Sequence, residues 1–208
     1  MAIHYHIHPE HPQHHKIAKV ATELRRGALI LYPTDTVHAI GCDITSKNAV
    51  EKIRHLRKLA SDKPLTFLCH SLTHIAEFAH VSDAAYRIIK HLIPGPYTFI
   101  LPATKLVPKL VQNPKRKTTG IRVPDHKICT ALLNELNNPI VSMAARLPFI
   151  EEIGSVEDLF YHFEKHVDII IDDESPYRTE VSTMIDMSAE EIAIGREGMG
   201  LQKALQYI

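Results

Sequence analysis

The sequence predicts an α/β fold in which helices flank a mixed β-sheet. Short apolar runs rich in Ile, Val, Leu and aromatic residues alternate with amphipathic helical patterns along the 208 residues, as expected for strands and helices that share one core. Several of the later apolar runs follow one another without a helical pattern between them. Neighbouring parallel strands require a long crossover, so this spacing favours a mixed sheet over a purely parallel one.

Seven apolar runs are predicted to be strands and four segments are predicted to be helices. The predicted strands cover residues 28–33, 64–70, 97–102, 119–124, 139–144, 167–172 and 181–187. The predicted helices cover residues 14–26, 49–58, 82–93 and 127–136. Gly27, a usual C-terminal stop residue, follows the first helix, and Ser82 is suited to cap the N-terminus of the third.

Length and composition limit the number of domains and the classes of ligand to be expected. A chain of this length, 45% of it hydrophobic, is long enough for one substantial core, so a single domain over residues 1–208 is predicted. Lys and Arg total 24, as do Asp and Glu, so no overall field attracts nucleic acid or membrane. Any basic site must therefore be local.

Cysteine usage and hydropathy predict a cytoplasmic protein. Cys42, Cys69 and Cys129 are odd in number and far apart, which favours reduced thiols over disulfides or a zinc site. The N-terminus lacks the pattern of a signal peptide, and no apolar run approaches the roughly 18 residues that a membrane span needs. No membrane association is expected.

Histidine is unusually frequent near the N-terminus. His4, His6 and His8 alternate in IHYHIHP, so on a strand all three would project from one face, as a transition-metal site requires. The sequence offers no carboxylate or Cys at a spacing that completes such a site. A solvent-facing edge strand explains the pattern better, and no metal site is predicted.

Two further features point to a ligand site. Residues 32–36, YPTDT, follow a buried-looking strand, and strand ends in α/β sheets open into clefts that bind small polar ligands; a simple turn around Pro33 and Asp35 is the alternative. Basic residues recur near strand ends, where guanidinium groups can hold phosphate oxygens. They are Arg54, Arg57, Lys58, Lys63, Lys115, Arg116, Lys117, Arg122 and Arg196. For the run from Lys115 to Lys117 alone, a solvated face is the simpler interpretation.

Taken together, these segments resemble the YrdC/YciO family, and most of all its YciO branch. The resemblance runs in order through YPTDTVHAIGCD, DKPLTFL, PGPYTFIL, TTGIRVPDH, PIVS, VSTMID and REG. It implies the YrdC-like (DHBP synthase-like) α/β fold, a twisted sheet flanked by helices with a large, positively charged cavity. No phosphate-binding GxxxxGK[ST] loop, GxGxxG motif or GxSxG elbow is present.

The resemblance also implies an activity. Some members of the family make threonylcarbamoyl-adenylate from ATP, L-threonine and bicarbonate, for the modification of a tRNA adenosine. In that reaction a carbamate oxygen attacks the α-phosphate of ATP and expels pyrophosphate. Cations and Mg²⁺ bound with ATP would stabilise the charge that develops, so no covalent nucleophile is expected.

Site residues follow from the resemblance position by position. The residues that match contacts to the threonine-like substrate are Thr36, Thr118, Arg122 and Ser182. Those that match or replace contacts to the nucleotide are Arg57, Lys63 and Arg196. No catalytic residue is assigned.

Departures from the family pattern accompany these matches. The second cation of a Lys-x-Arg motif is replaced by Leu59, a strand-end histidine by Leu68, and a Ser-x-Asn motif by Ala144 and Arg146. Each unmade contact in a closed site costs about 1–3 kcal/mol, so catalysis is expected to be weakened unless Arg146 supplies a compensating cation. A tyrosine usual in the family is replaced by His38.

Two functions are therefore compatible with the sequence. The first is a synthase-like nucleotidyltransferase that binds ATP and L-threonine. The alternative is a module that binds double-stranded RNA or tRNA through the same basic surface, since A-form RNA can be bound by shape without base contacts. Zero net charge and the lack of aromatic residues within the basic stretch favour the enzyme-like interpretation.

Overall fold

The structure is a computed structural model that describes residues 1–60, 63–150 and 152–208. Its strands are β1 (Ile3–His6), β2 (Ile30–Tyr32), β3 (Ala39–Asp43), β4 (Thr66–Leu68), β5 (Tyr97–Pro102), β6 (Thr118–Arg122), β7 (Ile140–Ala144), β8 (Ile169–Asp172), β9 (Thr183–Asp186) and β10 (Ala193–Arg196). Its helices are α1 (His14–Arg25), α2 (Lys47–Leu56), α3 (Leu72–Phe78), α4 (Asp83–Leu92), α5 (Lys127–Leu136), α6 (Val156–Phe163) and α7 (Leu201–Ala204).

Within the described residues the ten strands form one sheet, in the spatial order β1-β8-β2-β3-β7-β4-β6-β5-β9-β10. Four neighbouring pairs are parallel, namely β1/β8, β8/β2, β4/β6 and β5/β9. The other five pairs are antiparallel. The prediction of a mixed sheet flanked by helices is confirmed.

Helices cover both faces of this sheet. The buried sides of α1 and α5 pack against each other and on one face, over residues such as Ile30, Ile140 and Ile169. The apolar sides of α2, α3, α4 and α6 belong to a second core on the opposite face, which includes Phe67 and Phe99. Alternate residues of each central strand therefore serve different cores, as the pleat of a strand dictates.

All seven predicted strands and all four predicted helices occur, with ends that differ by up to about two residues. Helix α1 ends before Gly27, whose φ of +89° suits the left-handed turn expected there. Ser82 caps α4, because its side chain accepts a hydrogen bond from the backbone N–H of Ala85 at 3.2 Å. Helix α2 begins at Lys47, two residues before its predicted start.

Five elements were not predicted from the sequence. They are β3, β10, α3, α6 and α7. Strand β1 lies at one edge of the sheet and is largely exposed, as the solvent-facing edge strand inferred from the alternating histidines requires. Strand β3 is buried at all five positions, so it lacks the alternation that identifies a strand with one exposed face. Helices α3, α6 and α7 span only seven, eight and four residues, too few for a helical period to stand out.

The N-terminal histidines act separately instead of facing one site. His4 Nε2 lies 2.6 Å from Glu164 Oε2, and His6 Nε2 lies 3.8 Å from Glu174 Oε1. His8 lies beyond the end of β1, where its Nδ1 accepts hydrogen bonds from two backbone N–H groups. No set of three or more candidate ligands gathers around one point in the described ranges.

Two other sequence features have simple structural outcomes. Cys42, Cys69 and Cys129 are unpaired and buried, and burial raises the pKa of the Cys42 thiol to about 12. Across the described residues, no helix combines the length and the apolar character that crossing a membrane requires.

Candidate anion-binding cleft

A cleft opens on the sheet face that carries α1 and α5. Its floor includes one row of paired positions across three neighbouring strands: Gly41 on β3 pairs with Ser142 on β7, which pairs with Thr66 on β4. Thr66 in turn pairs with Gly120 on β6, where a Cβ atom would lie only 2.8 Å from Thr66 Oγ1. Of this row, Ser142 and Thr66 line the space above the sheet, whereas the ring of Tyr32 lies over Gly41.

The cleft has two connected parts. The inner cavity, about 280 Å³, lies over the strands and is lined by hydroxyl groups, small apolar residues and cations. The outer basin, about 880 Å³, is lined by apolar residues together with Lys58, Glu152, Tyr177 and Thr179. Arg57, Lys63 and Arg146 line both parts, so three cations mark the junction between them.

Most of the predicted site residues meet at the inner cavity. Seven of them line it: Thr36, Arg57, Lys63, Arg122, Arg146, Ser182 and Arg196. Thr118 does not, because it lies four residues before Arg122 on β6, on the same face but about 13 Å away along the strand. The contacts assigned to these side chains remain predictions.

Arg122 is held in a buried arrangement at the end of β6. Its Nη1 donates to Thr36 Oγ1 at 2.8 Å, and its Nη2 donates to Asp35 Oδ1 at 2.5 Å. Arg122 and Thr36 are less than one-tenth exposed. Asp35, which was predicted only as a turn residue, is thus the carboxylate that fixes this guanidinium beside the cavity.

Arg196 and Ser182 form a second fixed unit that lines the inner cavity. Arg196 donates to the carbonyl oxygen of Ser182 at 2.8 Å and to its Oγ at 3.0 Å. Ser182 Oγ also lies 2.9 Å from Thr98 Oγ1 on β5. Ser182, the predicted substrate contact, and Arg196, the predicted nucleotide contact, are therefore held together by hydrogen bonds.

Positive charge accumulates at the junction of the two parts. Burial and the charge of Arg146 lower the pKa of Arg57, and burial together with Arg122 and Arg146 lowers that of Arg196. Five cations line the inner cavity and none of its described lining residues is a carboxylate. In a protein with no net charge, this local excess of cations favours an anionic ligand.

Two other basic residues do not line the cleft. Arg54, grouped with the cationic series on sequence grounds, points into the protein and donates to the carbonyl oxygens of Lys63 at 2.9 Å, Leu110 at 3.1 Å and Ala60. Arg116 instead pairs with Asp186 at 2.8 Å. Arg54 is therefore structural, and Arg116 forms an ion pair outside the cleft, in agreement with the solvated face that is the simpler interpretation of Lys115 to Lys117.

Several hydroxyl-bearing residues of the cavity were not predicted from the sequence. Thr34, Thr66, Thr98 and Ser142 line it beside the predicted residues. Thr66, Thr98 and Ser142 interrupt otherwise apolar strands. A polar residue on the inward face of a buried strand needs a partner, so this interruption is the signal that could have identified them.

A buried contact between a histidine and a carboxylate joins two strand ends near the cleft. His126 Nε2 lies 3.2 Å from Asp173 Oδ2, linking the turn after β6 to the end of β8. Burial acts to raise the pKa of Asp173, but hydrogen bonds from His126 and Ser175 outweigh it and lower the pKa to about 2. Burial lowers the pKa of the nearby His38, although the negative charge of Asp173 acts to raise it.

This depressed pKa gives a pH-dependent prediction. A carboxyl group whose pKa is lower in the folded than in the unfolded state stabilises the fold above the unfolded pKa and loses that effect as pH falls. Asp173→Asn is therefore expected to cost about 2 kcal/mol of unfolding free energy at pH 6. Urea denaturation at several pH values should show the difference from the parent protein shrinking below about pH 4. A difference that stays constant down to pH 3 would contradict this account.

Comparison with known proteins decides the family. The profile of the Sua5/YciO/YrdC family, described as telomere recombination, matches residues 22–198. The chain belongs to this family. It is 38% identical to Escherichia coli YciO over 197 residues, which cover 94% of this chain and 95% of that protein. The crystal structure of E. coli YciO superimposes with a TM-score of 0.91 and covers 98% of this chain and 99% of the other.

More distant relatives carry an assigned activity or a bound ligand. A threonylcarbamoyl-AMP synthase of Vibrio vulnificus is 26% identical over 179 residues, covering 85% of this chain and 96% of that enzyme. P. abyssi Sua5, solved in complex with L-threonine, superimposes with a TM-score of 0.85 at 25% identity. This chain is covered completely by that alignment and spans 62% of the Sua5 chain. The fold is thus that of a threonylcarbamoyl-AMP synthase-like family.

Proposed function

We propose that the cleft binds L-threonine and ATP and forms threonylcarbamoyl-adenylate, at a lower rate than the synthases of the family. The observation that carries the proposal is the buried Thr36–Arg122–Asp35 unit, which opens into a cavity with five cations. A fixed guanidinium group suits an amino-acid carboxylate, and cations at a cleft junction suit phosphates. The similarity to a Sua5 structure complexed with L-threonine supports the same assignment.

The proposed reaction needs charge stabilisation more than covalent chemistry. The amino nitrogen of threonine and bicarbonate form a carbamate with loss of water. A carbamate oxygen then bonds to the α-phosphorus of ATP while the bond to the pyrophosphate oxygen breaks. Arg57, Lys63 and Arg146, at the junction, would stabilise the charge on the phosphoryl oxygens and on the departing pyrophosphate. The product would supply the threonylcarbamoyl group for tRNA modification.

Mg²⁺ is proposed to enter as a complex with ATP. The described lining of the inner cavity presents cations and hydroxyl groups, whereas Mg²⁺ prefers oxygen ligands that carry negative charge. The phosphates of the nucleotide provide such ligands. The residues of the cleft would then position the phosphates and not the metal ion itself.

Arg146 is the residue proposed to offset the altered motifs. It lines both parts of the cleft and its carbonyl oxygen accepts a hydrogen bond from Arg57. A guanidinium here would restore the charge that is lost at Leu59. Leu68 and Ala144 offer no polar group to a ligand, which is why a low rate is proposed.

RNA binding is the second candidate, and the exposure of Lys58, Lys63 and Arg146 around the open basin favours it. Binding to RNA phosphates releases condensed counterions, so affinity for a tRNA would fall about tenfold or more between 50 and 200 mM salt. Threonine binding in the inner cavity should change far less. The salt dependence separates the two ligands.

Pyrophosphate release tests the proposed activity. We expect release from ATP·Mg²⁺ only when both L-threonine and bicarbonate are present, because the carbamate is the attacking group. The product, detected by mass, should contain one threonylcarbamoyl group per adenylate. Arg116→Gln serves as a control, since it removes a cation outside the cleft. Pyrophosphate release that does not depend on threonine would refute the activity. No pyrophosphate release over hours at millimolar substrate concentrations would also refute it.

A further inference from the structure

The hydroxyl group of Tyr32 has a defined hydrogen-bond direction. Tyr32 lies on β2 with no exposed surface, and its hydroxyl oxygen is 2.6 Å from Ser142 Oγ. Burial raises the pKa of Tyr32, so the phenol keeps its proton. Within the described part of the chain Ser142 is the partner found for that proton. Since a buried hydroxyl hydrogen needs an acceptor, Tyr32 donates and Ser142 accepts.

The hydrogen of Ser142 must then point elsewhere. Ser142 lines the inner cavity, and no described protein group accepts its hydrogen. Thr34, in the same cavity, differs, because its hydroxyl donates to the carbonyl oxygen of Val37 at 2.7 Å. The Ser142 hydroxyl is therefore held as a donor toward the cavity by the hydrogen bond that it accepts from Tyr32.

The backbone preserves the position of the tyrosine ring. Gly41 pairs with Ser142 across β3 and β7. A Cβ atom at Gly41 would lie 2.9 Å from Tyr32 Cε1 and 2.7 Å from the carbonyl oxygen of Val141. Only a residue without a side chain leaves room for the ring, which lies over Gly41 on the same face of the sheet as the cavity.

We infer that Ser142 is a substrate-binding residue that donates its hydroxyl hydrogen to a carboxylate, carbamate or phosphoryl oxygen, and that Tyr32 is the positioning residue that enforces this direction. Ser142 lies on the strand that leads to Arg146, two strands from Arg122. Its donor thus lines the same cavity as Arg122, proposed to bind threonine, and Arg146, proposed to bind phosphate. The inference rests on the proposed function and adds a neutral, oriented donor to the cations.

A double-mutant cycle tests this relay, by which we mean the hydrogen-bond chain from Tyr32 through Ser142 to the ligand. The variants are Ser142→Ala, Tyr32→Phe and the two combined, each titrated calorimetrically with L-threonine in the presence of ATP·Mg²⁺ and bicarbonate. Loss of a hydrogen bond to a charged ligand group predicts about tenfold weaker binding for Ser142→Ala. Tyr32→Phe should weaken binding about three- to tenfold, because Ser142 can then rotate. In the Ser142→Ala background, Tyr32→Phe should add less than about twofold.

The pattern across the cycle separates positioning from structure. A structural effect of Tyr32→Phe would persist after Ser142 is removed, whereas the relay predicts that it disappears. Tyr97→Phe is the matched control, since it removes another buried tyrosine hydroxyl, bonded to the carbonyl oxygen of Gly200 at 3.1 Å. It should match the parent in affinity. Thermal unfolding of every variant confirms that folded protein is compared.

A second ligand tests the role of Ser142 and Tyr32 without relying on threonine binding. The cycle is repeated with inorganic pyrophosphate, a ligand for the cation-lined junction. If Ser142 and Tyr32 are coupled in pyrophosphate binding but the parent protein does not bind threonine, the proposed function is overturned and the relay is supported. Additive effects, or full affinity in Ser142→Ala with both probes, would overturn the relay.

Discussion

Replacement of Arg122 by glutamine is expected to weaken L-threonine binding by at least about 100-fold. The guanidinium is buried, fixed by Thr36 and Asp35, and lines the inner cavity. Glutamine keeps a hydrogen-bond donor of similar reach but removes the positive charge that a carboxylate requires. Calorimetric titration of the variant with L-threonine in the presence of ATP·Mg²⁺ measures the change.

The same substitution should also destabilise the fold. It leaves Asp35 as a buried carboxylate without its cation, which costs about 3–5 kcal/mol. The two partners lie 87 residues apart, so the sequence alone does not reveal this cost. The ion pair at 2.5 Å makes loss of stability the expected result.

A compensating variant separates the two effects. Arg122→Gln combined with Asp35→Asn replaces the ion pair by two neutral amides, so more than half of the lost unfolding free energy should return. Threonine binding should not return. Recovery of binding in the double variant would show that Arg122 acts only through Asp35. Full stability in the single variant would contradict the buried ion pair.

Arg54→Leu is expected to lower the free energy of unfolding by about 3 kcal/mol without removing the nucleotide site. The Arg54 guanidinium donates to three backbone carbonyl groups inside the protein, and leucine leaves them without those donors. Folded Arg54→Leu protein should bind ATP·Mg²⁺ within about threefold of the parent, since Arg54 does not line the inner cavity.

Arg57→Leu, three residues along the chain, provides the matched comparison. Arg57 lines both parts of the cleft and donates to one carbonyl group, that of Arg146. Its loss should weaken ATP·Mg²⁺ binding about tenfold while costing only about 1 kcal/mol of stability. Urea denaturation and ATP titration of both variants measure this contrast. If Arg54→Leu lost ATP affinity and Arg57→Leu did not, the assignment of the two arginines would be reversed.

The fold was predictable where periodicity is strong. Helix α5 was predicted with the bounds it has, because its apolar residues recur at helical spacing. Strand β3 escaped prediction because both of its faces are buried, and β10 because it is short and largely exposed. The order of strands in the sheet depends on which strands pair over long separations, and single-sequence patterns carry little information on that.

The site was predictable by residue type but not by partnership. Arg122 and Thr36 were identified through motifs, yet their contact joins positions 86 residues apart. Asp35 resembled an ordinary turn residue, and Arg54 resembled a cleft cation. Each acquires its role from a neighbour that is distant in sequence. The relay from Tyr32 to Ser142 likewise links two strands that are separated by β3 in the sheet.

The central claim, that this cleft holds L-threonine against Arg122, is tested most directly by calorimetric titration of the unmodified protein with L-threonine. The titration is carried out with and without ATP·Mg²⁺ and bicarbonate, and repeated with Arg122→Gln/Asp35→Asn. We predict saturable binding of one threonine per chain that strengthens with the nucleotide and is lost in the folded double variant. No heat of binding in the unmodified protein, or equal binding by the double variant, would contradict the account.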